Sequence, residues 1–349
     1  MSTEARWLAG LEESARRRLP PEVFEYVSQG AREGVTASTA NEAWRAVRFR
    51  PRVLRAVGDV DLRTRLLGEE FAVPWGIAPT TLQRTVHADG ELAVARATAE
   101  AGGLMVVSSN AGTPFAEIAG TGVRWWLQAY LPTDRELAGP MLDRAVAAGA
   151  GAVVLTVDTP VVATKYVADQ AIWASVDPAT VRVNFEPGHA AQAADKARDL
   201  QPGDLAWLRE RTGLPVVVKG VLRDDDAHRC VEAGVAAVWV SNHGGRQLDR
   251  SIATAHALPD VVAAVDGRAD VYVDGGARSG LDIVAGLALG AQAVFLGRLP
   301  LYALVDGREG VSWMHAELAE QVREALRLGG CRTPQDARGI GVEAPSRDA

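Results

Sequence analysis

Eight short apolar runs, each followed by a stretch with helical periodicity, constrain the fold of this chain most strongly. Several runs are apolar throughout, which is typical of parallel strands that are buried on both faces. Eight β/α units in roughly 225 residues predict an α/β fold of the TIM (β/α)8-barrel type. A doubly wound sheet is the alternative, but no Gly-x-Gly-x-x-Gly sequence follows the first run. The predicted strands are 73–78, 103–108, 123–130, 152–157, 215–219, 236–241, 271–274 and 293–296.

The rest of the chain is arranged around this barrel, which we place at residues 71–333. Residues 1–70 are predicted to form a helical extension packed on the barrel. The longest interruption, 161–205, follows the fourth strand and contains several prolines and glycines. We predict that it is a lid-like loop over the C-terminal face, where the active sites of such barrels lie. Residues 334–349 are predicted to be a flexible tail.

Charge, cysteine content and hydropathy exclude several classes of protein. The net charge of −7 and the lack of a basic block argue against a nucleic-acid partner. Two cysteines without a Cys-x-x-Cys sequence argue against a disulfide scaffold or a metal cluster, and we predict no metal site. No apolar run approaches the roughly 20 residues of a membrane helix, and the N-terminus lacks the apolar core of a signal peptide. We therefore predict a cytoplasmic protein without a membrane partner.

The sequence Ser-Asn-His-Gly-Gly-Arg at 241–246 directly follows the apolar part of the predicted sixth strand. The imidazole of His243 can accept a proton near neutral pH, and the guanidinium of Arg246 offers a rigid set of donors to a carboxylate. The glycines between them let the backbone turn sharply and approach a ligand closely. A base and an anion-binding group at this spacing indicate a site that binds an acid and takes a proton from it.

Polar residues follow every predicted strand, so the mouth of the barrel would present a ring of donors with a few acids. Such a ring indicates a large polar ligand. The Gly-rich ends of the seventh and eighth strands, each followed by an arginine, suit a phosphate group. Lys219 ends a buried strand and needs an anionic or electron-rich partner. A reduced flavin would be one such partner, and a barrel carboxylate in a buried ion pair is the other.

Several motifs occur in order along the chain, most of them at the predicted strand ends. They are Arg-Pro-Arg-Val-Leu at 50–54, Ala-Pro-Thr at 78–80, Thr-Val-Asp-Thr-Pro at 156–160, Val-Lys-Gly at 218–220, Ser-Asn-His-Gly-Gly-Arg-Gln-Leu-Asp at 241–249, Asp-Gly-Gly-Ala-Arg-Ser-Gly at 274–280 and Gly-Arg at 297–298. In this combination the chain resembles the FMN-dependent α-hydroxy-acid oxidases and dehydrogenases. That family includes glycolate oxidase, lactate oxidase, mandelate dehydrogenase and the flavin domain of flavocytochrome b2. The resemblance extends over nearly the whole chain.

This resemblance implies a role for residues at each strand end. His243 would be the active-site base, Asp158 would orient its ring and stabilise its charge, and Tyr130 would bond the hydroxyl or keto oxygen of the substrate. Arg246 and Tyr26 would bind the substrate carboxylate. Lys219 would face flavin N1 and O2. The phosphate would be held by Gly276, Arg278, Gly297 and Arg298. The residues implied in FMN binding are Pro79, Thr80, Thr81, Ser108, Gln128, Thr156, Lys219, Ser241, Asp274, Gly275, Gly276, Arg278, Gly297 and Arg298.

Three positions depart from the family pattern. Lys165 occupies the position of a second carboxylate-binding arginine, where it keeps the charge but loses the bidentate geometry. We count it among the predicted substrate-binding residues. Thr81 replaces a small Ala or Gly near flavin N5, and Asn110 stands where some members have an aromatic residue. These departures predict an atypical substrate.

The implied reaction is the FMN-dependent oxidation of a 2-hydroxy acid to the 2-oxo acid. The partners would be a small carboxylate substrate and oxygen or another electron acceptor, in a homo-oligomer that the resemblance suggests is a tetramer. One alternative keeps FMN: a tailoring enzyme or monooxygenase that acts on an atypical carboxylated substrate, including an amine or an oxidative decarboxylation. A non-enzymatic flavin-binding barrel would have no need of a base. A phosphate-binding barrel enzyme without flavin would leave Lys219 unexplained.

The other histidines and the paired tryptophans are predicted to have structural or surface positions. His87 is expected to be structural. Trp125 and Trp126 should face opposite sides of their strand, with one in the core and the other against the helices. The histidines predicted to lie at the surface are His189, His228, His256 and His315.

Overall fold

A closed barrel of eight parallel strands forms the centre of the computed structural model, which describes residue 8 and residues 10–166, 172–173, 176–177 and 180–343. The strands are β1 (Trp75–Ile77), β2 (Leu104–Ser108), β3 (Arg124–Ala129), β4 (Val153–Thr156), β5 (Val216–Val221), β6 (Ala237–Val240), β7 (Asp270–Val273) and β8 (Ala293–Leu296). They follow one another around the ring in chain order, and β8 pairs in parallel with β1. The predicted TIM barrel is therefore confirmed. The doubly wound alternative is wrong, because an open sheet has no such closing pair.

Helices surround the barrel and connect its strands. Three precede the barrel: α1 (Gly10–Arg18), α2 (Pro21–Ser28) and α3 (Val35–Arg45). Those that follow β1 are α4 (Gln83–Val86), α5 (Gly90–Glu100), α6 (Phe115–Ala119), α7 (Gly139–Ala147), α8 (Ala190–Ala193), α9 (Pro202–Thr212), α10 (Asp224–Glu232), α11 (Thr254–Val265), α12 (Gly280–Ala288), α13 (Arg298–Ala303) and α14 (Gly307–Leu328). Short 3-10 helices lie at Arg135–Ala138, His243–Gly245, Leu304–Asp306 and Pro334–Gly339. Within the described ranges, no helix has the length and apolar character of a membrane span.

Large aromatic side chains fill the interior of the barrel, and a hairpin covers its amino end. The hairpin consists of strands Thr64–Leu66 and Glu69–Phe71, and the N–H of Leu67 donates to Asp270, the first residue of β7. Because the interior is filled and the amino end is covered, the carboxyl ends of the strands form the accessible face. The interior aromatic residues, all nearly fully buried, are Trp126, Trp239, Tyr272 and Phe295.

The adjacent tryptophans of β3 face opposite sides of the strand, as predicted. Trp125 packs outward against Phe115 of α6, with ring centroids 5.3 Å apart. Trp126 points into the barrel, where its ring lies 5.7 Å from that of Tyr272. One tryptophan therefore fills the interior and the other joins the barrel to its surrounding helices.

Helix α3 packs on the loop that follows β7. Trp44 Nε1 donates to the Gly275 carbonyl at 2.7 Å, and Asn41 Nδ2 donates to the Gly276 carbonyl at 3.0 Å. Gly276 has a φ of 97°, and a Cβ there would lie 2.6 Å from the carbonyl oxygen of Ala40. Glycine is the residue that allows this backbone conformation and this close approach. The helices before the barrel therefore help to shape its mouth.

The segment predicted as a loop at 161–205 is shorter in the structure, because α9 begins at Pro202. Proline suits the first turn of a helix, and the Asp204 carboxylate accepts a hydrogen bond from the N–H of Gln201 at 2.7 Å. The short helix α8 also lies within this segment. The parts of the segment that lie outside the described residues are 167–171, 174–175 and 178–179.

The prediction of a flexible tail from residue 334 onward is wrong as far as residue 343. The last 3-10 helix is followed by a strand, Gly341–Glu343, which pairs antiparallel with Arg48–Arg50. Thr333 and Asp336 cap this helix reciprocally. The Asp336 N–H donates to Thr333 Oγ1 at 3.3 Å, and the Thr333 N–H donates to Asp336 Oδ2 at 3.0 Å. This capping box and the strand pairing hold the segment against the N-terminal region, and the residues beyond it lie outside the described ones.

His315 is buried rather than at the surface, with 3% of its area exposed. Trp75 Nε1 can only donate, so its 3.1 Å bond makes His315 Nδ1 the acceptor, and the proton sits on Nε2 beside Thr98 Oγ1 at 3.3 Å. Burial lowers the pKa of His315 to about 4. The surface prediction failed because His315 lies on the core-facing side of α14, whose other buried residues include Val311, Met314, Leu318 and Val322.

We expect His315 to make the free energy of unfolding depend on pH. The pKa of His315 is about 4 in the folded protein and roughly 6.5 in the unfolded chain. The stabilisation of the folded state by neutral His315 is therefore complete above pH ~6.5 and is lost as pH falls toward 4. The loss should reach ~3 kcal/mol near pH 4. Urea titrations at several pH values should show a flatter dependence for His315→Gln. The matched substitution of an exposed histidine, His228→Gln, should leave the dependence unchanged, and a full wild-type slope in His315→Gln would contradict this explanation.

Candidate active site

A cavity of about 1010 Å³ opens at the carboxyl ends of the barrel strands. Nearly all of the predicted site residues line it. Asp158 and Ser241 are not part of its lining and lie directly behind two residues that are, His243 and Lys219. The predicted residues that line the cavity are Tyr26, Pro79, Thr80, Thr81, Ser108, Gln128, Tyr130, Thr156, Lys165, Lys219, His243, Arg246, Asp274, Gly275, Gly276, Arg278, Gly297 and Arg298.

His243 and Asp158 form a hydrogen-bonded pair at the cavity wall. His243 follows β6 and Asp158 follows β4, and His243 Nδ1 lies 2.9 Å from Asp158 Oδ1. Thr159 Oγ1 donates to the same carboxylate oxygen at 3.0 Å and lies 3.3 Å from His243 Nδ1. The contacts at Nδ1 leave Nε2 as the ring nitrogen that can exchange a proton with a molecule in the cavity.

The Asp158 carboxyl group is held in its ionised form. Burial raises its pKa, but the charge and hydrogen bond of His243 and the charge of Lys219 lower it by more. The net pKa of Asp158 is therefore below the usual aspartate value. Its Oδ2 atom is buried and has no hydrogen-bond partner among the described residues. The carboxylate thus keeps a negative charge beside the imidazole.

Gly220 lets Asp158 occupy this position. It lies at an irregularity in the pairing of β5 with β6, and its φ is 111°. A Cβ at residue 220 would lie 2.7 Å from the Asp158 Cβ and 2.8 Å from its Cγ. The backbone of β5 therefore packs directly against the carboxylate that contacts His243, and glycine is required for this contact.

His243 has a left-handed backbone conformation, with a φ of 56°, which is uncommon for a residue other than glycine. Its N–H donates to Ser241 Oγ at 3.1 Å. The turn is then closed by the Arg246 N–H, which donates to the His243 carbonyl at 3.3 Å. Non-glycine residues held in this way are often found at functional sites. This turn brings His243 and Arg246 to the same cavity wall.

Lys219, Ser241 and Asp274 form a buried network below the cavity. Lys219 Nζ donates to Ser241 Oγ at 2.7 Å and lies 3.0 Å from Asp274 Oδ2. Ser241 in turn donates to Asp274 Oδ1 at 2.6 Å. The ammonium also lies 5.4 Å from the ring centroid of Trp239. The ion pair considered from the sequence is therefore present, and the cavity face of Lys219 and Asp274 is still available to a ligand.

Arg246 is fixed by the C-terminal end of α2. Its Nη1 donates to the carbonyls of Tyr26 at 2.6 Å and Gln29 at 3.1 Å. The guanidinium carbon lies 4.9 Å from the centroid of the Tyr26 ring, in cation–π geometry. Helix α2 therefore brings Tyr26 to the cavity and sets the orientation of Arg246 at the same time.

Arg298 is also bound by backbone carbonyls. Its Nε donates to Val27 at 3.0 Å, its Nη1 to Gly244 at 2.8 Å and its Nη2 to Gln29 at 3.0 Å. Each of its three guanidinium nitrogens thus has a carbonyl partner. Arg298 connects α2 to the turn after β6, in addition to lining the cavity.

The positive charges of Arg278, Arg246 and Arg298 accumulate at this side of the cavity. The pKa of Arg298 is lowered to about 9, chiefly by burial and then by the charges of Arg278 and Arg246. The carbonyl partners of Arg298 carry no full negative charge, and two further guanidinium groups act on it. An anion with a high charge density, such as a phosphate, would relieve this repulsion.

The ends of β1 to β4 carry neutral polar groups. Gln128 Nε2 donates to Thr156 Oγ1 at 3.1 Å. Thr81, one of the departures from the family pattern, donates its hydroxyl to the Asn110 carbonyl at 3.0 Å. That hydroxyl is therefore engaged by the neighbouring strand end. Gln83 Nε2 bonds Thr80 Oγ1 at 3.0 Å, which orients the loop after β1.

Lys165 lines the cavity but bonds within its own loop. Its Nζ donates to the Ala163 carbonyl at 2.7 Å, and only 8% of the residue is exposed. The loop is tied to the N-terminal region, because the Arg32 N–H donates to the Thr164 carbonyl at 2.9 Å. The predicted positive charge of Lys165 is therefore present at the cavity, and the Ala163 carbonyl accepts one of its hydrogen bonds.

Several cavity residues from the segment after β4 were missed by the sequence analysis, among them Trp173, Arg182 and Lys196. Trp173 packs edge-on against Tyr26, with ring centroids 6.4 Å apart at 75°. Lys196 Nζ lies 4.2 Å from the ring centroid of Tyr130, and Arg182 lines the cavity nearby. Burial, and after it the charge of Asp158, raises the pKa of Tyr130, so its phenol stays protonated. The segment has no strong periodicity, so the sequence offers no signal for these positions.

Comparison with known proteins assigns the chain to a family. The family model described as FMN-dependent dehydrogenase matches residues 15–340. The chain belongs to the FMN-dependent dehydrogenase family.

Two curated members of the FMN-dependent dehydrogenase family and one solved structure show the extent of the similarity. L-lactate oxidase of Nostoc sp. is 39% identical, covering 93% of this chain and 94% of that protein. 4-hydroxymandelate oxidase of Amycolatopsis orientalis is 37% identical, covering 96% of this chain and 98% of that protein. A crystal structure of mandelate oxidase with (S)-4-hydroxymandelic acid superimposes with a TM-score of 0.91 at 36% identity, covering 97% and 99% of the two chains.

Membership of the FMN-dependent dehydrogenase family confirms the predicted resemblance and FMN as the cofactor. The alternative of a barrel enzyme without flavin is wrong. The cavity also fits the cofactor on its own chemistry. It combines the poorly compensated charge of Arg298, the buried ammonium of Lys219 and a volume of about 1010 Å³ with neutral polar groups at the ends of β1 to β4.

We expect Gly220→Ala to lower the free energy of unfolding by ~2–4 kcal/mol, because the methyl group would collide with Asp158 and the backbone is left-handed. Gly213→Ala is a matched control. Gly213 also has a positive φ, of 68°, but a Cβ there would meet nothing within 4 Å, so we expect a loss of only ~1 kcal/mol. Urea denaturation measures both variants. Equal losses would contradict the close packing of Asp158 against residue 220.

Proposed function

We propose that this protein uses FMN to oxidise a 2-hydroxy acid to the corresponding 2-oxo acid, with His243 as the base. One observation carries the proposal. In a chain of the FMN-dependent dehydrogenase family, His243 lies at the cavity wall with its Nδ1 2.9 Å from an ionised Asp158. An acid partner at Nδ1 fixes the tautomer and stabilises the imidazolium that forms when Nε2 takes a proton.

The residues around His243 supply the other requirements of the reaction. Arg246 and Tyr26 bind the substrate carboxylate, and Lys165 adds a further positive charge to this region. Tyr130, a protonated phenol, donates a hydrogen bond to the hydroxyl or keto oxygen of the substrate. Carboxylate and oxygen are thereby held while His243 takes a proton, which removes the entropic cost of orienting them during the reaction.

Residues on the other side of the cavity would hold the cofactor. FMN, when bound, accepts the two electrons that the substrate loses. Lys219, held by Ser241 and Asp274, would supply a positive charge to the flavin. Arg278 and Arg298, with the backbone of Gly276 and Gly297, bind its phosphate. The residues proposed to line the flavin ring and ribityl chain are Pro79, Thr80, Thr81, Ser108, Gln128 and Thr156.

A second candidate function uses the same cavity but gives a different product. Lys165 bonds the Ala163 carbonyl in place of a bidentate carboxylate contact, and Thr81 adds bulk near the flavin. These features favour a tailoring enzyme or monooxygenase that acts on a different carboxylated substrate. Product analysis separates the two candidates, because simple oxidation keeps every carbon as the 2-oxo acid, whereas oxidative decarboxylation releases an acid shorter by one carbon.

We expect His243→Ala to slow the chemical step by a factor of ~10²–10⁴, the usual contribution of a general base. The measurement is the loss of flavin absorbance when the purified holoenzyme is mixed anaerobically with a panel of 2-hydroxy acids. Substitution of an exposed histidine, His189→Ala, should leave the rate unchanged. Flavin reduction at the full rate in His243→Ala would refute the assigned base. A wild-type flavin that no 2-hydroxy acid reduces would refute the proposed substrate class.

We expect Arg278→Met to weaken FMN binding by about 10- to 100-fold, the cost of one charge-assisted contact to the phosphate. Riboflavin, which lacks the phosphate, is the matched ligand, and its affinity should change little. Fluorescence titration of the deflavinated protein measures both affinities. An equal loss for FMN and riboflavin would place Arg278 away from the phosphate.

Three further properties remain predictions of the family resemblance. They are a homo-oligomeric state, expected to be a tetramer, reoxidation by oxygen or another electron acceptor, and a cytoplasmic location. Light scattering determines the first. Reoxidation of the substrate-reduced enzyme with oxygen determines whether the protein acts as an oxidase.

A further inference from the structure

Lys196 is a half-buried cation in the wall of the substrate cavity. It follows α8 in the segment after β4, and its side chain lines the cavity. Its Nζ lies 4.2 Å from the ring centroid of Tyr130, which is within the range of a cation–π contact. Among the residues that the structure describes, no hydrogen-bond acceptor or acid is paired with this ammonium. A cation in such a position has donors left for a ligand.

Five of the seven other described lysines and arginines that line the cavity differ from Lys196 in this respect, because each has an oxygen partner within the protein. Lys219 is paired with Asp274, and Lys165 bonds a carbonyl of its own loop. The arginines that donate to backbone carbonyls are Arg246, Arg278 and Arg298. Lys196 has the face of an aromatic ring instead, which stabilises a positive charge but satisfies none of its three N–H donors.

The charge of Lys196 is only partly compensated by its surroundings. Its pKa is lowered to about 8, chiefly by burial and also by the charge of Arg182, while the charges of Asp158 and Asp195 act in the opposite direction. At neutral pH the ammonium is therefore mainly protonated but poorly solvated. Two cations, Lys196 and Arg182, thus face the same part of the cavity, and an anion placed between them would be stabilised.

Lys196 comes from a different segment of the chain than the groups proposed to bind the α-carboxylate. Arg246 and Tyr26 come from the turn after β6 and from α2. Tyr130 lies at the end of β3, where its hydroxyl is proposed to contact the substrate oxygen. Lys196 lies over the ring of that tyrosine, with its Nζ 4.2 Å from the ring centroid. A substrate whose oxygen contacts Tyr130 would therefore have the Lys196 ammonium beside it.

We propose that Lys196 binds a second anionic group, at the end of the substrate side chain, and that the substrate is a 2-hydroxy acid with a distal carboxylate. This inference rests on the proposed function, because it assumes that the α-carboxylate lies at Arg246. It names the class of substrate as a 2-hydroxy dicarboxylate. It also assigns Lys196 a specificity role that is separate from the base and from the carboxylate-binding arginine.

The test compares a dicarboxylate with a neutral-tailed acid of similar length. Anaerobic stopped-flow measurements give the efficiency of flavin reduction by 2-hydroxyglutarate and by 2-hydroxypentanoate. Wild-type protein should favour the dicarboxylate, and Lys196→Met, which keeps the length of the side chain, should lower that preference by about 10- to 100-fold. Lys196→Arg should keep most of it. Arg229→Gln, at an exposed arginine that does not line the cavity, controls for a general loss of positive charge.

A binding measurement separates this inference from the proposed function. Glutarate and pentanoate cannot be oxidised as 2-hydroxy acids, and perturbation of the flavin spectrum reports their affinities. Glutarate should bind more tightly than pentanoate, and Lys196→Met should remove the difference even if no 2-hydroxy acid reduces the flavin. Retention of bound FMN verifies that the variant is folded. If Lys196→Met does not fold, Lys196→Gln replaces it in both measurements.

Three results would overturn the inference. One is an unchanged preference in Lys196→Met. Another is an equal loss for the dicarboxylate and the neutral-tailed acid, which would place Lys196 at the α-carboxylate or in the chemical step. The third is a loss in Arg229→Gln as large as that in Lys196→Met, which would show a general electrostatic attraction rather than a contact.

Discussion

The pairing of β8 with β1 is the constraint on which the rest of this structure depends. It closes the sheet, so the carboxyl ends of all eight strands form one ring. Residues far apart in the chain become neighbours only through this closure. Asp158 follows β4 and His243 follows β6, yet their side chains lie 2.9 Å apart. The aromatic interior and the hairpin at the amino end leave this ring as the accessible face, and the cavity forms there.

The electrostatic design of the cavity follows from an imbalance between its cations and its acids. Asp158 and Asp274 each compensate a specific cation, His243 in its protonated form and Lys219. The arginines at the ends of β6 to β8 are compensated mainly by backbone carbonyls, which supply partial rather than full charges. The folded protein therefore keeps an excess of positive potential in a desolvated site, and anionic ligands are the species that remove it.

Much of this arrangement could be predicted from the sequence, because the strands and their polar ends leave local patterns. Apolar runs located β1 to β8, and the motifs after them identified His243, Arg246 and Lys219. The errors have a common physical origin. His315 was assigned to the surface because a single polar residue on a buried helix face looks the same in sequence as an exposed one. The tail depended on a pairing with Arg48–Arg50, which lies nearly three hundred residues away. Lys196 comes from a segment without periodicity, and only the tertiary fold brings it to Tyr130.

The carbonyl oxygen of Gln29 accepts hydrogen bonds from both Arg246, at 3.1 Å, and Arg298, at 3.0 Å. One arginine is proposed to contact the substrate and the other the cofactor phosphate, so a single backbone atom joins the two binding regions. A carbonyl has two lone pairs, and any shift of one guanidinium changes the field and the position of the acceptor for the other. A displacement of the backbone at Gln29 would therefore move a hydrogen-bond acceptor of both guanidinium groups at once.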